Sequence, residues 1–154
     1  AYRAVRKAID GMEPVGNTNV GLGVAWGLGT LTGSIPLEGA APSRMNEAKR
    51  YMIVLTDGDN TQNHVNGVRN AAHDGRRLDR TVGEGINART RGACTTAKGK
   101  GVEVFTIRLL AGDIDLLKDC ASSSGHFFNV ESEGELDRVF ARILSAISRT
   151  RLTH

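Results

Sequence analysis

The chain has 154 residues, 40% of them hydrophobic and only 5% aromatic, with a formal net charge of +3. That length and apolar fraction suit one globular domain with its own core and exclude a disordered tail or a two-domain chain, and no apolar run approaches the length that spans a membrane. The positive charge gathers in residues 58–100, where eight Lys or Arg stand against four Asp or Glu, but no aromatic lies there to stack on bases, so a solvated basic face is expected and no nucleic-acid partner.

In chain order, Tyr2, Val5, Ala8 and Ile9 recur at helical spacing and stop at Gly11, with Pro14 shortly after, which predicts a short amphipathic helix. The chain opens at Ala1 with no apolar leader, so any targeting or anchoring segment is expected upstream. A turn at Gly16-Asn17-Thr18 leads into residues 19–31, where Val20, Leu22, Val24, Trp26, Leu28 and Leu31 are interspersed with Gly21, Gly23, Gly27 and Gly29. Glycine costs about 1 kcal/mol against Ala in a helix interior, so this segment reads as a buried helix pressed closely on a sheet. Residues 32–46, with Pro36, Gly39 and Pro42, read as a loop, followed by a short helix start near Asn46.

The run Tyr51 to Leu55 is apolar throughout and predicts a strand covered on both faces. It ends in Thr56-Asp57-Gly58-Asp59-Asn60-Thr61, a turn crowded with oxygen donors, where Gly58 is expected to allow a sharp exit and Asp57 to project at the carboxyl edge. In open α/β sheets, ligands sit at that edge. The polar stretch that follows, to about Val82, exceeds an ordinary connection, and the basic loop over residues 59–83 is expected to be a partner-contacting surface.

A helix over residues 85–100 is predicted next, then a strand at 102–107, a short helix at 114–121 and a strand at 126–130. In the closing helix Ser132 and Glu135 are spaced as a capping box, and Leu136, Val139, Phe140, Ile143, Leu144 and Ile147 draw one apolar stripe. Arg149 and Arg151 suit its C-terminal dipole. Strands alternating with helices imply an α/β fold, a mostly parallel sheet with helices on both faces.

Several residues carry more than one reading. Asp57 fits a turn-capping carboxylate or a cation ligand, and Thr18 fits a helix N-cap that can also sit beside a cation. Asp59, Asn60 and Thr61 read as turn formers. His64, His73, His126 and His154 show no ligand spacing, so zinc is not expected. Asp57-Gly58-Asp59-Asn60-Thr61 also matches the Asp-x-Asp-x-Thr pattern of haloacid-dehalogenase-like, Mg²⁺-dependent phosphatases, with Asp57 as nucleophile, Asp59 as general acid or base and Thr106 in a supporting role. There the later motifs fall out of order, because Gly112-Asp113 precedes Lys118. Cys94 and Cys120 are the only cysteines, and composition alone favours two free buried thiols.

Gly16 to Asn19 opening a helix, then Leu55-Thr56-Asp57-Gly58 at a strand end, resembles the von Willebrand factor type A domain. More narrowly, Thr18 through Leu31, Thr56 through Thr61, Cys94 through Ile107, Leu116 through Ala121 and the closing helix resemble the C-terminal part of TadG-like proteins of bacterial tight-adherence (Tad) pilus assembly. The resemblance implies a three-layer α/β/α, Rossmann-like fold over residues 1–154. It implies a binding rather than catalytic role, with pilus-assembly or envelope proteins as partners, in the periplasm or at the cell surface. It also implies a metal-ion-dependent adhesion site with Thr18 and Asp57 among its ligands, and a Cys94–Cys120 disulfide. The family's first strand and its Asp-x-Ser-x-Ser loop have no counterpart here. Mg²⁺, Mn²⁺ or Ca²⁺ is therefore expected to bind this chain alone weakly or not at all. The strand at 51–56 is expected to offer an open apolar edge, a template for another chain or for a homodimer.

Overall fold

The computed structural model describes residues 2–13, 17–33, 49–61 and 80–151. Three parallel strands, β1 (Arg50–Thr56), β2 (Val102–Leu109) and β3 (Phe127–Val130), form a sheet in the order β1-β2-β3, with Val54 opposite Thr106 and Ile107 opposite Phe128. Five helices accompany them among the described residues: α1 (Tyr2–Asp10), α2 (Val20–Thr32), α3 (Arg80–Gly99), α4 (Ile114–Cys120) and α5 (Leu136–Arg151).

Alternation along the strands sorts the apolar residues into two cores. Met52, Val102 and Val104 meet Val24 and Leu28 of α2, Cys94 and Ala97 of α3, and Leu116 and Cys120 of α4. On the opposite face Phe105, Ile107, Phe128 and Val130 meet Val139 and Ile143 of α5. The result is the expected three-layer α/β/α arrangement. Full burial of a Val or Ile such as Val104, Ile107, Val130 or Ile143 is worth about 1.5–3 kcal/mol each.

Cys94 and Cys120 are joined in a disulfide with their Cα atoms 5.0 Å apart, which ties α3 to α4 inside the first core. The pairing settles the choice that composition left open. Closing this loop, with a sequence separation of 26, is worth about 3–4 kcal/mol.

Several local expectations change. Strand β1 is covered on one face only: Met52 and Thr56 are buried, while Ile53 and Leu55 are 38% and 43% exposed, because α5, the helix on that face, packs over Phe105 and Ile107 of β2 and Phe128 and Val130 of β3 rather than over β1. Among the described residues β1 is also an outer strand, paired with β2 alone, so it presents the expected open edge. Helix α2 is not buried all round, since Leu22 and Trp26 are exposed, and its closest approach is to a helix as well as to the sheet. A Cβ on Gly21 would lie 2.8 Å from Thr90 Oγ1 and 3.2 Å from Thr90 Cα in α3, and one on Gly27 would lie 3.2 Å from Met52 Cε, but one on Gly23 would meet nothing. Helix α3 begins at Arg80, earlier than the spacing predicts.

At the last helix, Ser132 makes no side-chain cap, residues 133–135 form a 3₁₀ turn, and α5 starts at Leu136 with Leu144 exposed. Helix α1 forms where its period predicts it, yet none of its residues is buried. Of the loop expected over 32–46, Thr32 and Gly33 instead close α2, and the rest, with the helix start near Asn46 and residues 62–79 of the basic loop, lies outside the described residues.

Candidate functional site

The carboxyl end of β1 is assembled by hydrogen bonds from the turn after it. Thr56 caps that turn itself: its Oγ1 donates to Gly58 O at 2.9 Å and accepts from Gly58 N at 3.3 Å. Asp57 therefore does not cap the turn. Its carboxylate is exposed, and no described residue hydrogen-bonds it. Gly58 is not needed for its conformational freedom either, having no positive φ. The glycine this edge requires is Gly112, at φ 120°, where a Cβ would come within 3.3 Å of Gly58 O. The turn after β2 thus presses on the turn after β1. In it Leu110 is held at φ 64° by Ala111 N donating to Leu109 O at 2.7 Å, a strained conformation for a bulky residue.

Thr18 sits at the same end. Its N–H donates to Thr61 Oγ1 at 2.9 Å and its carbonyl accepts from Thr61 N at 2.9 Å, so the turn entering α2 is pinned to the turn leaving β1. The N-cap of α2 is not Thr18 but Asn19, whose side chain accepts from Leu22 N at 2.9 Å. Capping by Asn19 leaves the Thr18 hydroxyl with no described partner. The two residues expected to hold a cation are therefore on adjoining turns, and the local duties that could have occupied their oxygens are done by Asn19 and Thr56.

Asn60, read as a turn former from the sequence, is the centre of the assembly. It is buried, its Oδ1 accepts from Val20 N at 2.8 Å, and its Nδ2 donates to Asn87 Oδ1 at 2.9 Å and to Thr90 Oγ1 at 3.1 Å. Asn87 in turn donates to Asp113 Oδ2 at 2.7 Å, and Asp113 Oδ1 caps α4 by accepting from Leu116 N. This chain of bonds fixes α2, α3 and α4 around the strand end. No sequence signal marks it, because its members come from four segments; the only cue is that Asn60 and Thr61 fall just after the strand.

Among the described residues no three His, Cys, Asp or Glu side chains converge to hold a metal ion. His64, His73 and His154 lie outside those residues, and both ring nitrogens of His126 are taken, Nε2 by Glu103 Oε1 at 2.7 Å and Nδ1 by the Ser123 hydroxyl. The phosphatase reading is not favoured: Thr106 lies opposite Val54, inside the strand, and its buried hydroxyl donates to Leu117 O at 2.9 Å. Alongside β1, a groove of about 360 Å³ runs between the open strand edge and the glycine face of α2, lined by Thr18, Gly23, Gly27, Ile53 and Leu55 among others.

The family model of the von Willebrand factor type A domain matches residues 2–142. Among solved structures, proximal thread matrix protein 1 from the mussel byssus, in a second crystal form, is similar with a TM-score of 0.59 and 19% identity over 96% of this chain and 29% of that one. The same protein with a zinc-occupied MIDAS motif gives a TM-score of 0.60 and 19% identity, over 96% and 29% of the two chains. The chain thus spans less than a third of the length of these relatives, and at such identity the likeness is one of fold. No curated protein matches.

Proposed function

Since the chain belongs to the von Willebrand factor type A domain family, we propose that it works by binding other proteins through the carboxyl edge of its sheet, and that it turns over no substrate. The observation that carries this reading is the pair of uncommitted oxygens on adjoining turns, the Thr18 hydroxyl and the Asp57 carboxylate, held in place by Asn60 and Thr61. A neighbour of the same fold is described with a zinc-occupied MIDAS motif, which supports a divalent cation at the corresponding edge here.

The donors among the described residues do not fit a complete cation site. One carboxylate and one hydroxyl supply a single negative charge, whereas Mg²⁺ takes near-octahedral oxygen coordination, so most positions fall to water or to groups outside the described residues. Mg²⁺, Mn²⁺ or Ca²⁺ accordingly binds this chain alone weakly or not at all. Calorimetric titration with Mg²⁺ and Mn²⁺ tests it: sub-millimolar affinity that disappears in Asp57→Ala would overturn the incomplete-site reading.

The finer assignment is a role in Tad pilus assembly as a TadG-like protein, in the bacterial periplasm or at the cell surface. Its supports are the sequence resemblance and the buried disulfide, which suits an oxidising compartment. Partners are then envelope or pilus-assembly proteins, with the open β1 edge available to another chain or to a second copy. Biolayer interferometry of the chain against purified pilus-assembly components should give binding that weakens in Asp57→Ala, with no hydrolysis of an aryl phosphate by either form. Phosphatase turnover that depends on Asp57 would reject the binding-only role.

A further inference from the structure

The other edge of the sheet is a second surface, distinct from the Asp57 turn. Among the described residues β3 pairs only with β2, which leaves its outer main-chain groups open. Cations flank this edge on both faces. On the α4 side, Lys118 Nζ stands 5.8 Å from the centroid of the Phe127 ring and Arg108 Nη1 donates to Asn129 Oδ1 at 3.0 Å. On the α5 side, the Arg142 guanidinium lies 5.3 Å over the Phe128 ring.

Beside the strand, two adjoining depressions of about 460 and 290 Å³ share Phe128 and Arg142 and so form one groove, which Arg138 lines at one end and Arg149 at the other. At 100° per residue, positions 138, 142 and 149 fall within about 40° of one another on α5. Among the described residues Glu135 is the one carboxylate that lines the groove, and none pairs with Arg138, Arg142 or Arg149.

We propose that this edge receives an extended acidic peptide, which adds to the sheet as a further strand beside β3. Main-chain bonds from such a strand satisfy the open edge, and its side chains alternate between the two faces. Carboxylates on one face meet the α5 arginines, and those on the other meet Lys118 and Arg108. Arg is suited to the task because its planar fork donates paired hydrogen bonds to a carboxylate. The same charges make pairing of two β3 edges repulsive, which disfavours a second copy as occupant. Nucleic acid fits less well, because the Phe127 and Phe128 faces that a base would stack on are already capped by cations, and phosphodiesters cannot pair with a strand edge.

The test uses the whole chain with its disulfide intact and fluorescence anisotropy of a short labelled peptide alternating Glu and Thr. The acidic peptide should bind at about 20 mM salt and weaken at about 200 mM, as screened charge pairs do. The same peptide with Gln for Glu should bind at least about ten-fold more weakly, and Arg142→Glu should cost a similar factor, near 1.4 kcal/mol. Arg138→Glu, at an exposed position, gives the same reading if Arg142→Glu does not fold. Asp57→Ala should leave this binding unchanged, so failure here is separable from failure of the reading above. Equal binding of the Gln peptide, indifference to both Arg substitutions, or tighter Arg142-dependent binding of an oligothymidine would overturn the proposal.

Discussion

Replacing Asn60 with Ala tests whether the site edge is held as described. Asn60 is 6% exposed and makes three hydrogen bonds through its side chain, at 2.8, 2.9 and 3.1 Å. Truncation strands the Val20 N–H at the start of α2, worth about 1–3 kcal/mol, and removes two donated bonds worth about 0.5–1.5 kcal/mol each net. The contributions are not fully additive, so the expected loss is about 2–4 kcal/mol. With a urea slope of about 1–3 kcal/mol/M for a domain of this size, the unfolding midpoint followed by circular dichroism should fall by about 1–2 M.

Asn60→Asp is the informative companion. It keeps an acceptor for Val20 N but places an oxygen against Asn87 Oδ1 and Thr90 Oγ1. Neither can turn donor without breaking another bond, since the Asn87 amide already donates to Asp113 and the Thr90 hydroxyl to Ile86 O. It should destabilise as much as Ala does. Hydrogen exchange at the Val20 amide should quicken in Asn60→Ala before global unfolding does. A midpoint shift below about 0.3 M in both variants would mean that water replaces these bonds at little cost, and the account of Asn60 as the centre of the edge would be wrong.

Glycine substitutions in α2 should split by position. Gly21→Ala drives a Cβ into Thr90 Oγ1 and Cα and should cost about 1–3 kcal/mol in thermal unfolding, whereas Gly23→Ala meets open space and should stabilise by up to about 1 kcal/mol. Gly112→Ala combines a positive φ with a 3.3 Å approach to Gly58 O, so a loss of more than about 1 kcal/mol is expected by urea titration. For the disulfide, thiol titration of the unreduced, denatured chain should find no free thiol, and Cys94→Ala with Cys120→Ala should lower stability by about 3–4 kcal/mol. Two titrating thiols would reject the pairing.

What the sequence determined by itself is what depends on neighbours along the chain. The apolar run of β1, the β-branched and aromatic run of β2, the helical stripe of α5 and the position of Asp57 at a strand end are all local, and they give the fold class because the alternation of strand and helix patterns along the chain implies a parallel sheet flanked by helices. The order of its motifs also carries the family resemblance, and the family model matches residues 2–142.

The remainder depended on which distant segments meet. Capping passed from Thr18 to Asn19 and from Asp57 to Thr56, because the hydrogen-bond geometry at each turn, not residue type alone, selects the cap. Asn60 became central only through Val20, Asn87 and Thr90, partners 27 to 40 positions away. Gly21 turned out to face α3, and the Phe rings of β3 gathered their cations from two helices on opposite faces. None of these can be read from a period, since each requires the packing of one layer on another to bring together residues that are remote in the chain.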